Sequence, residues 1–382
     1  MKSRFVMPLF GAAFFILSGL SVGALLFGQP PQWKGKIETV DGVKVIRNPN
    51  APLFGEITLD LAEELKIGRA DDENYLLDRV RDVEVDKDGN IYVVDLRNFR
   101  VQEFDKNGKY LLTFGRKGQG PGEFDLPMRV RFDESAGSVV VKDQAYTLEY
   151  FSPDGKPLKS MRIAHGFYDF RIAPDGTVFT IVGTENDLKV MHGLAKVDSQ
   201  GQTGKNIAEF PYSLYMQRMG GGILSLTSGH ELQLLFNLLD SQSLVFGYSK
   251  EYVLTVVDFE GNVQYRIAKD EPYPKFTDKE KAEYKRMPLP EYKPYFYALF
   301  VDDLGRIYVQ RNQADWHVEE NVQKDIDIFS KDGYFLYRTK LPKDTYVIRN
   351  GYVYCCEVGD EEIIKRYRIK NWEAMKASAD GK

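Results

Sequence analysis

The feature that most constrains this chain is a dipeptide. Asp-Gly, Asn-Gly or a near substitute returns at short intervals from Asp88-Gly89 to Asn350-Gly351. Glycine takes a positive φ freely, and Asn and Asp take it better than other residues, so each occurrence reads as a tight hairpin. Between the turns lie short runs rich in β-branched and aromatic residues, without long 3.6-residue periodicity. The 24 Phe and 23 Tyr favour strands over helix bundles. Short strands joined by tight hairpins in regular succession call first for a search for repeats.

The clearest repeat runs from Arg81 to Gly115. Its strands are 82–86, 91–94, 100–105 and 109–114, joined by Lys87-Asp88-Gly89-Asn90, the loop 95–99 and Lys106-Asn107-Gly108. The same grammar recurs at 130–163, 170–210, 233–268 and 298–341, and 345–369 lacks a clear fourth strand. A four-stranded unit has two faces to bury and cannot be stable alone; radial packing against its neighbours buries both. The expected architecture is an all-β, six-bladed β-propeller of antiparallel blades, with seven blades as the alternative count. The incomplete blade would borrow a strand from Lys36–Arg47 or Glu56–Leu61. Residues 36–372 then form one domain after a linker at 29–35, with a tail at 373–382.

Lys2 and Arg4 precede an uncharged apolar run from Phe5 to Gly28, the pattern of an export signal. The run is also long enough to span a bilayer as an uncleaved anchor, which takes about 20 residues. Either way the folded body is expected outside the cytoplasm, periplasmic or extracellular, with membrane contact only through residues 5–28. Beyond residue 28 the chain holds 49 basic and 56 acidic residues, a formal charge of −7. So acidic a body is a poor general binder of nucleic acid.

In a propeller of this kind the tight hairpins share one face and the remaining connections share the other. That second face carries the long segments 116–128, 211–232, 269–297 and 311–322, and long irregular loops are where propellers bind. The third contains Thr277-Asp278-Lys279-Glu280, a capping box that predicts a short helix. Its aromatic residues, Tyr273, Phe276, Tyr284, Tyr292, Tyr295 and Tyr297, either pack the insertion onto the blades or form a sticky surface. Innermost strands alternate polar and apolar residues, which turns Asp82, Glu84, Arg129, Arg131, Asp169 and Arg171 toward a central channel. Those charges suit either a charged ligand or blade-to-blade ion pairs.

The stretch Asp95-Leu96-Arg97-Asn98-Phe99-Arg100-Val101-Gln102-Glu103-Phe104-Asp105, continuing through Asn107-Gly108 and Phe114-Gly115 to Gly118-Gln119-Gly120-Pro121-Gly122-Glu123-Phe124, resembles the NHL repeat. With Gly89-Asn90-Ile91-Tyr92-Val93 ahead of it, this blade matches the pattern almost end to end; the others match in turns and apolar runs. The whole resembles exported bacterial six-bladed propellers. The resemblance implies the fold, whereas NHL-type propellers include RNA-binding domains, lyases, lactonase-like hydrolases and binding scaffolds, so function must come from the site.

Motifs for catalysis are sparse. Histidine occurs only at 165, 192, 230 and 317, and no HExxH, Gly-x-Ser-x-Gly or phosphate loop appears. The Gly-rich stretch 118–122 leads to a strand, not a helix, and makes a poor phosphate cradle. Cys355-Cys356 in a strand point to opposite faces, one expected in the core and one half-buried. The reading is a non-enzymatic exported scaffold, without cofactor, that binds a protein, peptide or glycan on its loop-rich face. Its candidate residues are Arg129, Arg131, His165, Tyr168, Asp169, Arg171, Trp316 and His317. The alternative is a calcium- or zinc-dependent hydrolase or lyase, lactonase-like, at the channel mouth.

Overall fold

Seven of the tight hairpins are organised by an anchor three residues before their glycine. In the computed structural model, Asp86 accepts the backbone N–H groups of Asp88 and Asn90, each at 2.9 Å, while its own carbonyl accepts that of Gly89, whose φ is +88°. Asp105, Asp198, Asp258 and Asp302 repeat the arrangement two and four residues on. Ser152 and Ser330 supply a hydroxyl in the same place. The Asp of the Asp-Gly pair fits the turn, but the residue two before it holds the turn shut.

The structure describes residues 31–378 except 70, 145, 187–188, 214, 220–221, 227–229, 284–288, 290, 292, 313–322 and 360. The apolar amino-terminal run therefore lies outside the described residues. Among those described, no helix is long and apolar enough to cross a membrane.

A hairpin of β1 (Lys36–Val40) and β2 (Val43–Asn48) opens the chain, and β3 (Leu61–Ile67) follows. Blade 1 comprises β4 (Val80–Val85), β5 (Ile91–Asp95), β6 (Arg100–Phe104) and β7 (Tyr110–Phe114). Blade 2 comprises β8 (Pro127–Asp133), β9 (Ser138–Asp143), β10 (Thr147–Phe151) and β11 (Pro157–Arg162). Blade 3 comprises β12 (Phe167–Ile172), β13 (Val178–Asn186), β14 (Lys189–Val197) and β15 (Ala208–Tyr212). A separate hairpin, β16 (Tyr215–Met219) and β17 (Gly222–Leu226), sits in a segment expected to be loop. Blade 4 comprises β18 (Leu234–Leu238), β19 (Ser243–Tyr248), β20 (Val253–Asp258) and β21 (Val263–Lys269), followed by helix α1 (Asp278–Glu283). Blade 5 comprises β22 (Phe296–Val301), β23 (Ile307–Arg311), β24 (Lys324–Phe329) and β25 (Phe335–Leu341). Blade 6 holds β26 (Thr345–Arg349), β27 (Tyr352–Val358) and β28 (Glu362–Ile369) from the carboxyl-terminal end of the chain, with β3 as its outer strand.

Six blades close the ring, and every expected unit contains the strands read from its turns. The closing strand differs from both expected segments. It is Leu61–Ile67, antiparallel to β28, and touches the 56–61 segment only at Leu61. Residues 36–47 instead form the β1–β2 hairpin, turned at Asp41 (φ 52°) and Gly42 (φ 78°), and β2 runs parallel to the outer strand of blade 4. Glu56 bridges to Arg338 on the outer strand of blade 5. Buried Asn48 ties these blades together: its amide donates to the Gly333 carbonyl at 2.8 Å and its side-chain oxygen accepts from Phe335 N at 2.8 Å.

The core follows from the period of two. In β5, Ile91 and Val93 pack toward blade 6, whereas Tyr92 and Val94 pack toward blade 2. Both faces are covered, so the strand reads as an uninterrupted apolar run. One hydrophobic cluster lies between each pair of neighbouring blades. The expected tail is partly core: Met375 is buried with Trp372 between blades 5 and 6, and the Arg306 guanidinium lies 3.9 Å from the Trp372 ring centre. Cys355 and Cys356 are both buried, so neither is half-exposed, and burial pushes the Cys355 thiol up to about 12.

Candidate functional site at the channel mouth

Strands β4, β8, β12, β18, β22 and β26 line a central cavity of about 960 Å³. Each enters from the loop-rich face and leaves at a tight hairpin, so position along the strand reports depth. At mid-depth Arg131 spans three blades. Its Nη1 donates to Asp82 Oδ2 at 2.6 Å and lies 3.5 Å from Glu84, while Nη2 reaches Asp169 Oδ1 at 3.2 Å. Arg171 binds the other Asp169 oxygen at 2.9 Å and donates through Nε to Asn237 Oδ1 at 3.0 Å. The Asn237 amide reaches the Leu299 carbonyl at 3.3 Å. A polar belt thus runs round the wall from blade 1 to blade 5. Although burial opposes charge there, Arg171, Arg131 and Arg129 together hold the Asp169 carboxyl far below the usual carboxylate range. Glu84, with only the longer contact to Arg131, is pushed up by burial.

Nearer the loop-rich mouth the balance changes. Arg129 lies one strand pair above Arg131, but Arg131 takes both flanking acids, leaving Arg129 a 3.8 Å approach to Asp169. Across the β8–β9 ladder from Arg129 stands Lys142, only 4% exposed. Its Nζ donates to the Gln144 carbonyl and lies 4.9 Å from the Phe167 ring centre. Burial, with Arg129 nearby, brings the Lys142 amine down to about 8. Arg81, on β4, also lines the cavity, and neither it nor Lys142 forms an ion pair among the described residues. The opposite end carries Glu134, Asp240 and Asp302 in the hairpin turns, each in an ion pair, with Arg349, Lys331 and Arg306 respectively, beside Asp303. Charge is therefore largely paired at the hairpin end and left positive at the loop-rich mouth.

Beside the cations stands an aromatic wall. Tyr168, 51% exposed, lies over His192 with ring centres 4.3 Å apart, and His192 stacks on Tyr212 at 4.2 Å and 13°. His192 is buried; its Nε2 has no hydrogen-bond partner, and burial lowers the imidazole to about 4, so it is neutral near pH 7. On the far side of the mouth, blades 4 and 5 contribute uncharged Gln233, Leu235 and Tyr297.

Of the candidates drawn from sequence, Arg129, Arg131, Tyr168, Asp169 and Arg171 meet in this cavity. His165 is exposed in the blade 2–3 connection and does not line it. Trp316 and His317 lie outside the described residues. Arg81, Lys142, His192 and Tyr212 were missed, three of them because they sit on strands other than the innermost. A lysine ending the run Val139-Val140-Val141 was the available signal for Lys142.

In two of the long loops the described residues largely satisfy one another. Thr277 and Glu280 form the expected capping box, with Glu280 Oε2 accepting Thr277 N at 2.8 Å and Thr277 Oγ1 accepting Glu280 N at 3.1 Å. Phe276 packs edge-on to His230, and Tyr273 and Tyr295 pack together, so these aromatics hold the insertion down. In the Gly-rich loop the Glu123 carboxylate accepts from Gly120 N and Arg116 Nε, both at 2.9 Å, filling the place an anion would need. Phe124 lies under Gly115, where a Cβ would sit 2.1 Å from its ring. That contact explains the spacing of Phe114-Gly115 and Phe124.

Comparison with known proteins supports the fold. The model of the DUF5128 family, described as a 6-bladed beta-propeller, matches residues 71–210. No curated protein sequence matches the chain. A Bacteroides fragilis protein, named as a candidate exported protein, has a similar structure with TM-score 0.54 and 14% identity, covering 85% of this chain and 99% of that one. A member of the duf4221 family from Bacteroides vulgatus aligns with TM-score 0.48 and 11% identity over 82% and 98% of the two chains. Virginiamycin B lyase from Staphylococcus aureus aligns with TM-score 0.42 and 9% identity over 80% and 98%.

Proposed function

We propose that this chain is an exported, non-catalytic binding propeller of NHL type whose loop-rich mouth takes an acidic group presented by a peptide or glycan. The observation that carries the reading is the set of cations, Arg81 and Lys142 without an ion pair among the described residues and weakly paired Arg129, at one end of a large open cavity. Charge-assisted hydrogen bonds to carboxylates are roughly twice as strong as neutral ones, and a partly desolvated mouth strengthens them further. The body's overall negative charge makes this local positive site selective, because it repels polyanions elsewhere.

Calcium or zinc fits poorly here. The carboxylates facing the belt already bind guanidinium groups, and among the described residues no three metal-ligating side chains converge. Isothermal titration with hexaglutamate and with an acidic oligosaccharide, beside neutral counterparts, tests the reading. Binding of acidic probes that disappears in Lys142→Met/Arg129→Gln supports it. Equal binding of neutral probes, or a stoichiometric metal whose removal lowers the melting temperature, would overturn it.

A further inference from the structure

Tyr168 is an exposed aromatic ring held in a fixed place. It lies across Gly183 of β13, where a Cβ would come within 2.9 Å of its Cε2 and 3.0 Å of its hydroxyl, so any larger residue there would displace it. Behind it, His192 and Tyr212 continue the stack. Among the described residues lining the cavity, His192 is the one with a buried side-chain nitrogen that no protein group satisfies. A half-exposed ring backed by two others is a platform for the face of a partner ring, since stacking gains come from face contact without lost rotamer freedom. Cations on blades 1 and 2 and the platform on blade 3 line the same cavity.

We propose that the mouth binds a carboxylate-bearing ring, the carboxylate between Lys142, Arg129 and Arg81 and the ring face against Tyr168. This rests on the anion-binding reading above and narrows it. Two sources share the chemistry: a uronate unit of an acidic glycan and a free aromatic acid. A linear acidic peptide offers the charge without a ring face, and inorganic phosphate offers charge alone.

The test is calorimetric titration of the full chain with trigalacturonate, its methyl ester, 2-naphthoate, 2-naphthamide, hexaglutamate and phosphate. Each ring acid should bind at least about tenfold more tightly than its uncharged analogue. Gly183→Ala, which moves the ring while keeping every charge, and Tyr168→Ala should each weaken ring-acid binding about fivefold or more and leave hexaglutamate unchanged. Tyr146→Ala, an exposed tyrosine outside the cavity, serves as the control that changes nothing. The tighter of trigalacturonate and 2-naphthoate identifies the source.

The inference fails if Tyr168→Ala and Gly183→Ala bind ring acids as the native chain does. It also fails if phosphate or hexaglutamate binds as tightly as the ring acids, an outcome that leaves the broader anion reading standing. If no acidic probe binds, both fall together.

Discussion

Two tiers of basic side chains face the same channel and do different work. Arg131 and Arg171 form a belt in which every guanidinium is matched by Asp82, Glu84, Asp169 or Asn237. Arg129, Lys142 and Arg81, nearer the loop-rich mouth, have the same chemistry and similar orientation but little or no acid left to them. The difference arises because Arg131 takes the two acids that flank Arg129. Orientation toward a channel therefore says little about function. What separates a structural cation from a binding one is whether its neighbours have already spent their negative charge.

The sharpest way to break this contrast is Arg131→Met. It strands the partly buried Asp82 and Glu84 and takes one of Asp169's guanidinium partners, and loss of one partner from a buried ionic cluster costs about 3–5 kcal/mol, read as a lowered urea midpoint. Arg129→Gln in the upper tier should cost within about 1 kcal/mol on the same scale. Equal losses in the two would erase the distinction between tiers.

Next in size is binding. Arg129→Gln and Lys142→Met should each weaken hexaglutamate by about tenfold. Arg171→Gln, if it folds, should not.

A third effect is pH-dependent and belongs to Lys142. Its folded amine titrates near 8, below its ordinary range. The unfolded chain thus binds more protons between roughly pH 8 and 10.4, so stability rises with pH through that window, and the burial penalty is fully present below it. Between pH 7.5 and 9.5 the native chain should gain on the order of 1 kcal/mol relative to Lys142→Met in urea melts. Anion affinity should fall over the same interval as the amine loses its charge. A flat difference between the two chains would remove Lys142 from the uncompensated tier.

The smallest expected effect is salt. Raising ionic strength from about 0.05 to 0.3 M should weaken anion binding several-fold while moving the urea midpoint little, because Arg81 and Arg129, more exposed than the belt arginines, are screened more.

The blades were legible in sequence because turn chemistry is local. An Asp, one residue, and then Asn-Gly or Asp-Gly specify a hairpin whatever surrounds them. The closing strand was not legible for the converse reason. Leu61-Ala62-Glu63-Glu64-Leu65-Lys66-Ile67 has the composition of a helix, and only pairing with β28 makes it a strand. The β1–β2 hairpin was legible in principle, since Asp41-Gly42 interrupts the run read as one strand. In the channel, period-two alternation put Arg129, Arg131, Asp169 and Arg171 on the correct face. It could not tell which were paired, since that depends on reach across blades. Lys142 and His192 came into the site from second and third strands, which a reading confined to innermost strands passes over.

Blade 6 joins β28, near the end of the chain, to β3, near its beginning. A ribosome makes these in order, so β3 must wait without its partner until Glu362–Ile369 has been made. Such a circle cannot lock early, and its slowest contact is the most distant in sequence. The nascent ring stays open and threadable until β28 has been made, and that one strand converts a string of blades into a ring.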